Sequence, residues 1–138
     1  MPHACDSPPP TRPTKILLVE DEFILAANLQ ETLEALGYVV TGIAASFEAT
    51  LRQVEQDHPD VVLMDIRLPG ERDGIETATF LWEVFHLPTV YLTGHSDRAT
   101  LERAYESLPF GYLVKPVQET DLVMAINAAY QCCQANQS

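Results

Sequence analysis

Five residues that could share one piece of chemistry sit at the ends of short apolar runs. Glu20 and Asp21 follow "KILLV", Asp65 follows "VVLM", Thr93 closes "TVYLT", and Lys115 follows "GYLV". Each alone has an ordinary explanation. Acidic residues favour a helix N-terminus, a threonine can cap a helix, an aspartate can end a strand, and a lysine can be a solvated surface charge. Together they imply more, because three carboxylates gathered at one place repel one another unless a cation relieves them. Oxygen-only ligands, few and open on one side, suit Mg²⁺, which keeps several waters and favours sites shared with a phosphoryl group. Lys115 and Thr93 then read as donors to phosphoryl oxygens, with Asp65 as the acceptor nucleophile.

Such a site needs strands to hold it. Five apolar runs, 15–19, 39–44, 61–64, 89–93 and 111–114, alternate with segments of helical period at 22–36, 46–56, 74–86, 97–107 and 118–133. Most of the runs are apolar on both faces, as strands covered by helices on both sides require. In the first helix Leu25, Leu29, Leu33 and Leu36 form the inward stripe and Gly37 supplies the stop. In the last, Leu122, Ile126, Ala129 and Cys133 do the same, which makes Cys133 a packing residue. The alternation predicts an α/β fold, a parallel sheet with right-handed crossovers. Ligands of such sheets sit beyond the carboxyl ends of the strands, where the five polar residues lie. The second run ends instead in Ala44 and Ala45, which suits a strand at the sheet edge.

The chain has 138 residues, 46% of them apolar, enough for one core and no second domain. Residues 1–14, with five prolines, read as an extended or disordered lead-in. Residues 15–133 read as the domain, and 134–138 as a short tail. Twenty acidic residues against eight basic ones give a net charge of -12, and no basic stripe stands ready to neutralise phosphates. Direct binding to nucleic acid or an anionic membrane is not expected. Cys5, Cys132 and Cys133 make no disulfide framework, which points to a reducing, cytoplasmic setting. No apolar stretch reaches membrane-spanning length.

The stretches "ILLVEDE", "VVLMDIRLPGERDGIE", "TVYLTG" and "GYLVKP", in that order over residues 15–133, resemble the CheY-like receiver domain of bacterial two-component response regulators. The resemblance implies a flavodoxin-like doubly wound sheet of five strands in the order 2-1-3-4-5 with five helices. It implies a phosphorelay protein that takes a phosphoryl group on Asp65 from a histidine kinase or phosphotransfer protein. Such a protein is not an ordinary enzyme, although it promotes its own phosphorylation and dephosphorylation. Asp21 would be a direct Mg²⁺ ligand, Glu20 one acting through water, and the backbone carbonyl of Arg67 a further ligand beside Asp65. Lys115 would pair with the phosphoryl group, and its bond to Pro116 would be cis. Thr93 would be the switch hydroxyl and Tyr112 the aromatic switch on the fifth strand. Together they would shift a pre-existing equilibrium on the face of the fourth helix, fifth strand and fifth helix, where a downstream protein or a second copy binds.

This chain departs from the pattern in several places. The loop "LPGERDG" carries one residue more than the commonest form between Pro69 and Asp73, Gly94 replaces the more usual alanine, and Arg67 and His95 flank the phosphoryl position. A receiver module of a larger hybrid kinase or regulator reads identically. A phosphatase of the haloacid dehalogenase type also uses a nucleophilic Asp after a strand, but needs a second acid where Arg67 stands. A flavodoxin would carry a hydroxyl-rich phosphate loop where Glu20, Asp21 and Glu22 stand. A scaffold that is never phosphorylated has no need of the full polar set.

Overall fold

The apolar runs become strands because β-branched and leucine side chains, uninterrupted by charge, pack on both faces of a sheet. The computed structural model describes residues 13–67, 72–94, 102 and 111–137, with side chains up to 131. The strands are β1 (Lys15–Val19), β2 (Val39–Ala44), β3 (Val61–Asp65), β4 (Thr89–Thr93) and β5 (Gly111–Val114). The helices are α1 (Phe23–Ala35), α2 (Phe47–Gln56), α3 (Gly74–Phe85) and α4 (Glu119–Gln137). Here α4 is the helix expected at 118–133. It runs on to Gln137 because "QCCQANQ" holds neither glycine nor proline to stop it. Of the helix expected at 97–107, only Glu102 is among the described residues, and it is helical.

All strands pair in parallel in the order β2-β1-β3-β4-β5, the doubly wound arrangement expected. Strand alternation divides the core into two layers. Leu17, Val19, Val62, Met64 and Tyr91 pack beneath α2 and α3 with Val54, Ile75, Ala78 and Leu81. Ile16, Leu18, Val61, Leu63, Val90 and Leu92 face α1 and α4, meeting Leu33, Leu122, Ile126 and Ala129. The predicted inward stripe of α4 is thus in place through Ala129, and the side chain of Cys133 lies outside the described residues. β2 is an edge strand, as its alanine ending suggested, with Val39 exposed. The sheet begins slightly before Lys15, since Val39 N–H donates to the carbonyl of the buried Thr14 at 3.0 Å. Among the described residues, no helix is long and apolar enough to cross a membrane.

Candidate functional site

The register fixes which side chains share the carboxyl edge. Val19 lies opposite Met64, Asp65 opposite Leu92, and Thr93 opposite Val114. Glu20 is one residue past the end of β1 and Lys115 one past the end of β5. Three backbone bonds continue the ladder beyond the strands. Glu20 N–H donates to Ala44 O at 2.9 Å, Ile66 N–H to Leu92 O at 3.1 Å, and Lys115 N–H to Thr93 O at 2.8 Å. The chemical side chains therefore sit on rigid ladder ends.

Carboxylate oxygens of Glu20, Asp21 and Asp65 all lie within 4.8 Å of one another. Glu20, Asp65 and Thr93 are buried, and Asp21 is exposed. The cluster is thus open to solvent on the side of Asp21. Lys115 Nζ donates to Glu20 Oε1 at 2.7 Å, reaching across from the far end of the sheet. Its partner in this state is the buried glutamate. One lysine does not balance three carboxylates, and their all-oxygen set fits a hard divalent cation.

The Asp65 carboxylate is held by its own backbone surroundings. Its Oδ1 accepts from Arg67 N–H at 3.0 Å, which brings the Arg67 backbone to the acidic cluster, while the Arg67 side chain is exposed. The second oxygen of the neighbouring glutamate, Glu20 Oε2, accepts from Glu22 N–H at 3.3 Å. The bond between Lys115 and Pro116 is cis, as the resemblance implied. Tyr112 stands opposite Tyr91 and packs on the core layer under α2 and α3, with its hydroxyl buried. His95 and residues 68–71 of the longer loop lie outside the described residues. Gly94 has room for the usual alanine, since a Cβ there would come no closer than 4.0 Å to Lys115 Cδ.

Sequence reading missed Gly74 as a site residue. Its N–H donates to Ile66 O at 3.0 Å. A Cβ on it would overlap the backbone carbonyl oxygen of Asp65 and stand 2.8 Å from Ile66 Cα. Only glycine lets α3 start this close to the acidic site. Its signal was the "DG" pair, in which Asp73 caps α3 through a capping box with Glu76.

A doubly wound flavodoxin-like sheet with an acidic cluster and a lysine at its carboxyl edge defines the class structurally. Residues 16–127 match the family model "Response regulator receiver domain", and the chain belongs to that family. It is a receiver domain of two-component response regulators, a class that works with histidine kinases and downstream targets.

Among curated proteins it is similar to the transcriptional regulatory protein PdtaR of Mycobacterium tuberculosis. The two are 37% identical over 117 residues, covering 85% of this chain and 57% of the relative. It also resembles the phyllosphere-induced regulator PhyR of Methylorubrum extorquens, 30% identical over 84% of this chain and 43% of that protein. The chain thus spans about half the length of these relatives. Among solved structures, it resembles the signal receiver domain of a modulated diguanylate cyclase from Desulfovibrio desulfuricans. That match has 38% identity and a TM-score of 0.84, over 90% of this chain and 98% of that one. The N-terminal domain of a response regulator/sensory box/GGDEF 3-domain protein from Carboxydothermus hydrogenoformans matches at 34% identity and a TM-score of 0.80. It covers 91% of this chain and 100% of that chain.

Proposed function

We propose that Asp65 accepts a phosphoryl group from a histidine of a kinase or phosphotransfer protein. The observation that carries this is the buried Asp65 carboxylate beside Glu20 and Asp21, with the Lys115 ammonium already drawn into the cluster. An Asp65 oxygen forms the new O–P bond as the donor's P–N bond breaks, and that electron pair stays on the donor imidazole. The Arg67 N–H on Oδ1 fixes the carboxylate for in-line approach. Lys115 moves from Glu20 toward the phosphoryl oxygens, and the Thr93 hydroxyl supplies a second donor. Glu20, Asp21, Asp65 and the backbone carbonyl of Arg67 would hold Mg²⁺, which offsets the charge shared by the carboxylates and the phosphoryl group when bound.

The same residues then govern loss of the phosphoryl group to water, so the domain promotes both its own phosphorylation and its dephosphorylation. The exposed Phe23 and Ile24, directly after the acidic residues, support a protein donor docking on this side. Thr93 and Tyr112 carry the switch. Thr93 ends β4 and its carbonyl holds Lys115 N–H, while Tyr112 packs on the core layer under α2 and α3. The signal leaves by way of β5 and α4, where Val114 and Met124 are exposed, to a downstream protein or a second copy. The cysteine usage supports a cytoplasmic setting.

The test is incubation with Mg²⁺ and acetyl phosphate followed by intact mass. One added phosphoryl group on the wild type and none on Asp65→Asn is expected. No adduct on the wild type would sink the acceptor reading, and turnover of free phosphomonoesters would favour a phosphatase.

A further inference from the structure

Arg72 is tied to both segments that frame the acidic residues. Its guanidinium carbon lies 4.2 Å from the centroid of Phe47 and 5.7 Å from that of Phe80. The two rings meet edge to face with centroids 5.2 Å apart. Phe47 is the first residue of α2, three residues after Ala44, whose carbonyl accepts the Glu20 N–H. On its own side, Arg72 stands two residues before Gly74, whose N–H holds Ile66 O and where a Cβ would overlap the Asp65 backbone. The cation on the rings thus joins the segment returning from Asp65 to the segment leaving β2.

We propose that Arg72 is a positioning residue that braces the Asp65 backbone by holding its guanidinium over the Phe47 ring, with the Phe80 ring at the longer distance. A planar, permanently charged guanidinium suits this role, because it attracts the negative ring face and stacks flat on it, whereas an ammonium gives attraction without the plane. The brace holds Ile66, Arg67 and Gly74 in the arrangement that orients the Asp65 carboxylate. Loss of the contact raises the population in which that arrangement is open, and acceptor activity falls with it. The kinetic half of this inference rests on the proposed acceptor role of Asp65, and the structural half does not.

The test uses the full chain as wild type, Arg72→Met, Arg72→Lys, Phe47→Leu and the Arg72→Met/Phe47→Leu double variant. Methionine keeps an apolar stem without charge or plane, and lysine keeps the charge. Phosphorylation by acetyl phosphate is timed by intact mass across a Mg²⁺ titration. Exchange of the Arg67 and Gly74 amides is followed without any phosphoryl donor. An exposed cation on half-buried rings corresponds to about a two- to fivefold change. Arg72→Met should therefore slow phosphorylation and speed both amides by about that factor, with Arg72→Lys between it and wild type. Adding Arg72→Met to Phe47→Leu should slow phosphorylation by less than Arg72→Met slows it in wild type, since Phe47→Leu already removes the shorter of the two ring contacts. Wild-type rates and wild-type exchange in Arg72→Met would overturn the brace. If the wild type takes up no phosphoryl group, the acceptor reading fails by itself. The amide exchange then still decides the brace, with faster exchange supporting it and unchanged exchange overturning it.

Discussion

Gly74→Ala tests the geometry beneath the site, because the three atoms nearest the new methyl all belong to the backbone. The Cβ would overlap Asp65 O and stand 2.8 Å from Ile66 Cα and 2.9 Å from Asp65 C, so no rotamer change relieves it. Overpacking of this kind costs about 1–3 kcal/mol. Strain on the Gly74 N–H bond to Ile66 O adds about 1 kcal/mol, offset by up to about 1 kcal/mol from the better helix propensity of alanine. The net loss is about 1–3 kcal/mol. With a urea slope of about 2 kcal/mol per molar, the unfolding midpoint should fall by about 0.5–1.5 M. Since the displaced atoms are those of Asp65, phosphorylation should drop even in buffer where the variant is folded. Gly94→Ala is the control: among the described residues its Cβ meets only Lys115 Cδ, at 4.0 Å, and stability should stay within about 0.5 kcal/mol. A Gly74→Ala midpoint equal to that of wild type would refute the close approach.

Three further outcomes are expected. In chelator, Asp65→Asn should raise stability by about 1–3 kcal/mol, since it removes one of three charges whose oxygens lie within 4.8 Å and keeps an acceptor for Arg67 N–H. A urea midpoint below that of wild type would contradict this. Asp73→Ala removes the Oδ1 acceptor of Glu76 N–H at 3.0 Å and should cost about 0.5–2 kcal/mol, read from a thermal melt by circular dichroism. The Tyr38 hydroxyl donates to Asn127 Oδ1 at 3.2 Å, and burial raises its pKa above the ordinary 10.0. The folded state then holds this proton more tightly than the unfolded chain. Tyr38 thus contributes stability that is present below about pH 10 and lost as pH rises through the raised value. Comparing midpoints of wild type and Tyr38→Phe on either side of pH 10 should show that loss in the wild type alone.

The sequence carried the strands almost residue by residue, because an uncharged run between polar residues has little freedom in where it starts and stops. β3 differs by including Asp65, whose backbone continues the ladder opposite Leu92. The gathering of Glu20, Asp21 and Asp65 followed from topology alone, since parallel strands put their following residues at one edge. The partner of Lys115 was not legible. Which of several nearby oxygens a flexible lysine meets depends on side-chain packing, and here it is Glu20. The Arg72 contact joins residues of different elements 25 positions apart, and no local pattern marks it. The close approach of Gly74 was hidden behind the capping role of the residue before it.

The most direct measurement locates the phosphoryl group. The wild type, loaded from acetyl phosphate with Mg²⁺ and reduced with borohydride, converts an aspartyl phosphate to homoserine, which peptide mass spectrometry assigns to a position. The account predicts homoserine at position 65 and nowhere else. Label at Asp21 or at another aspartate, or none on a folded wild type, would contradict it.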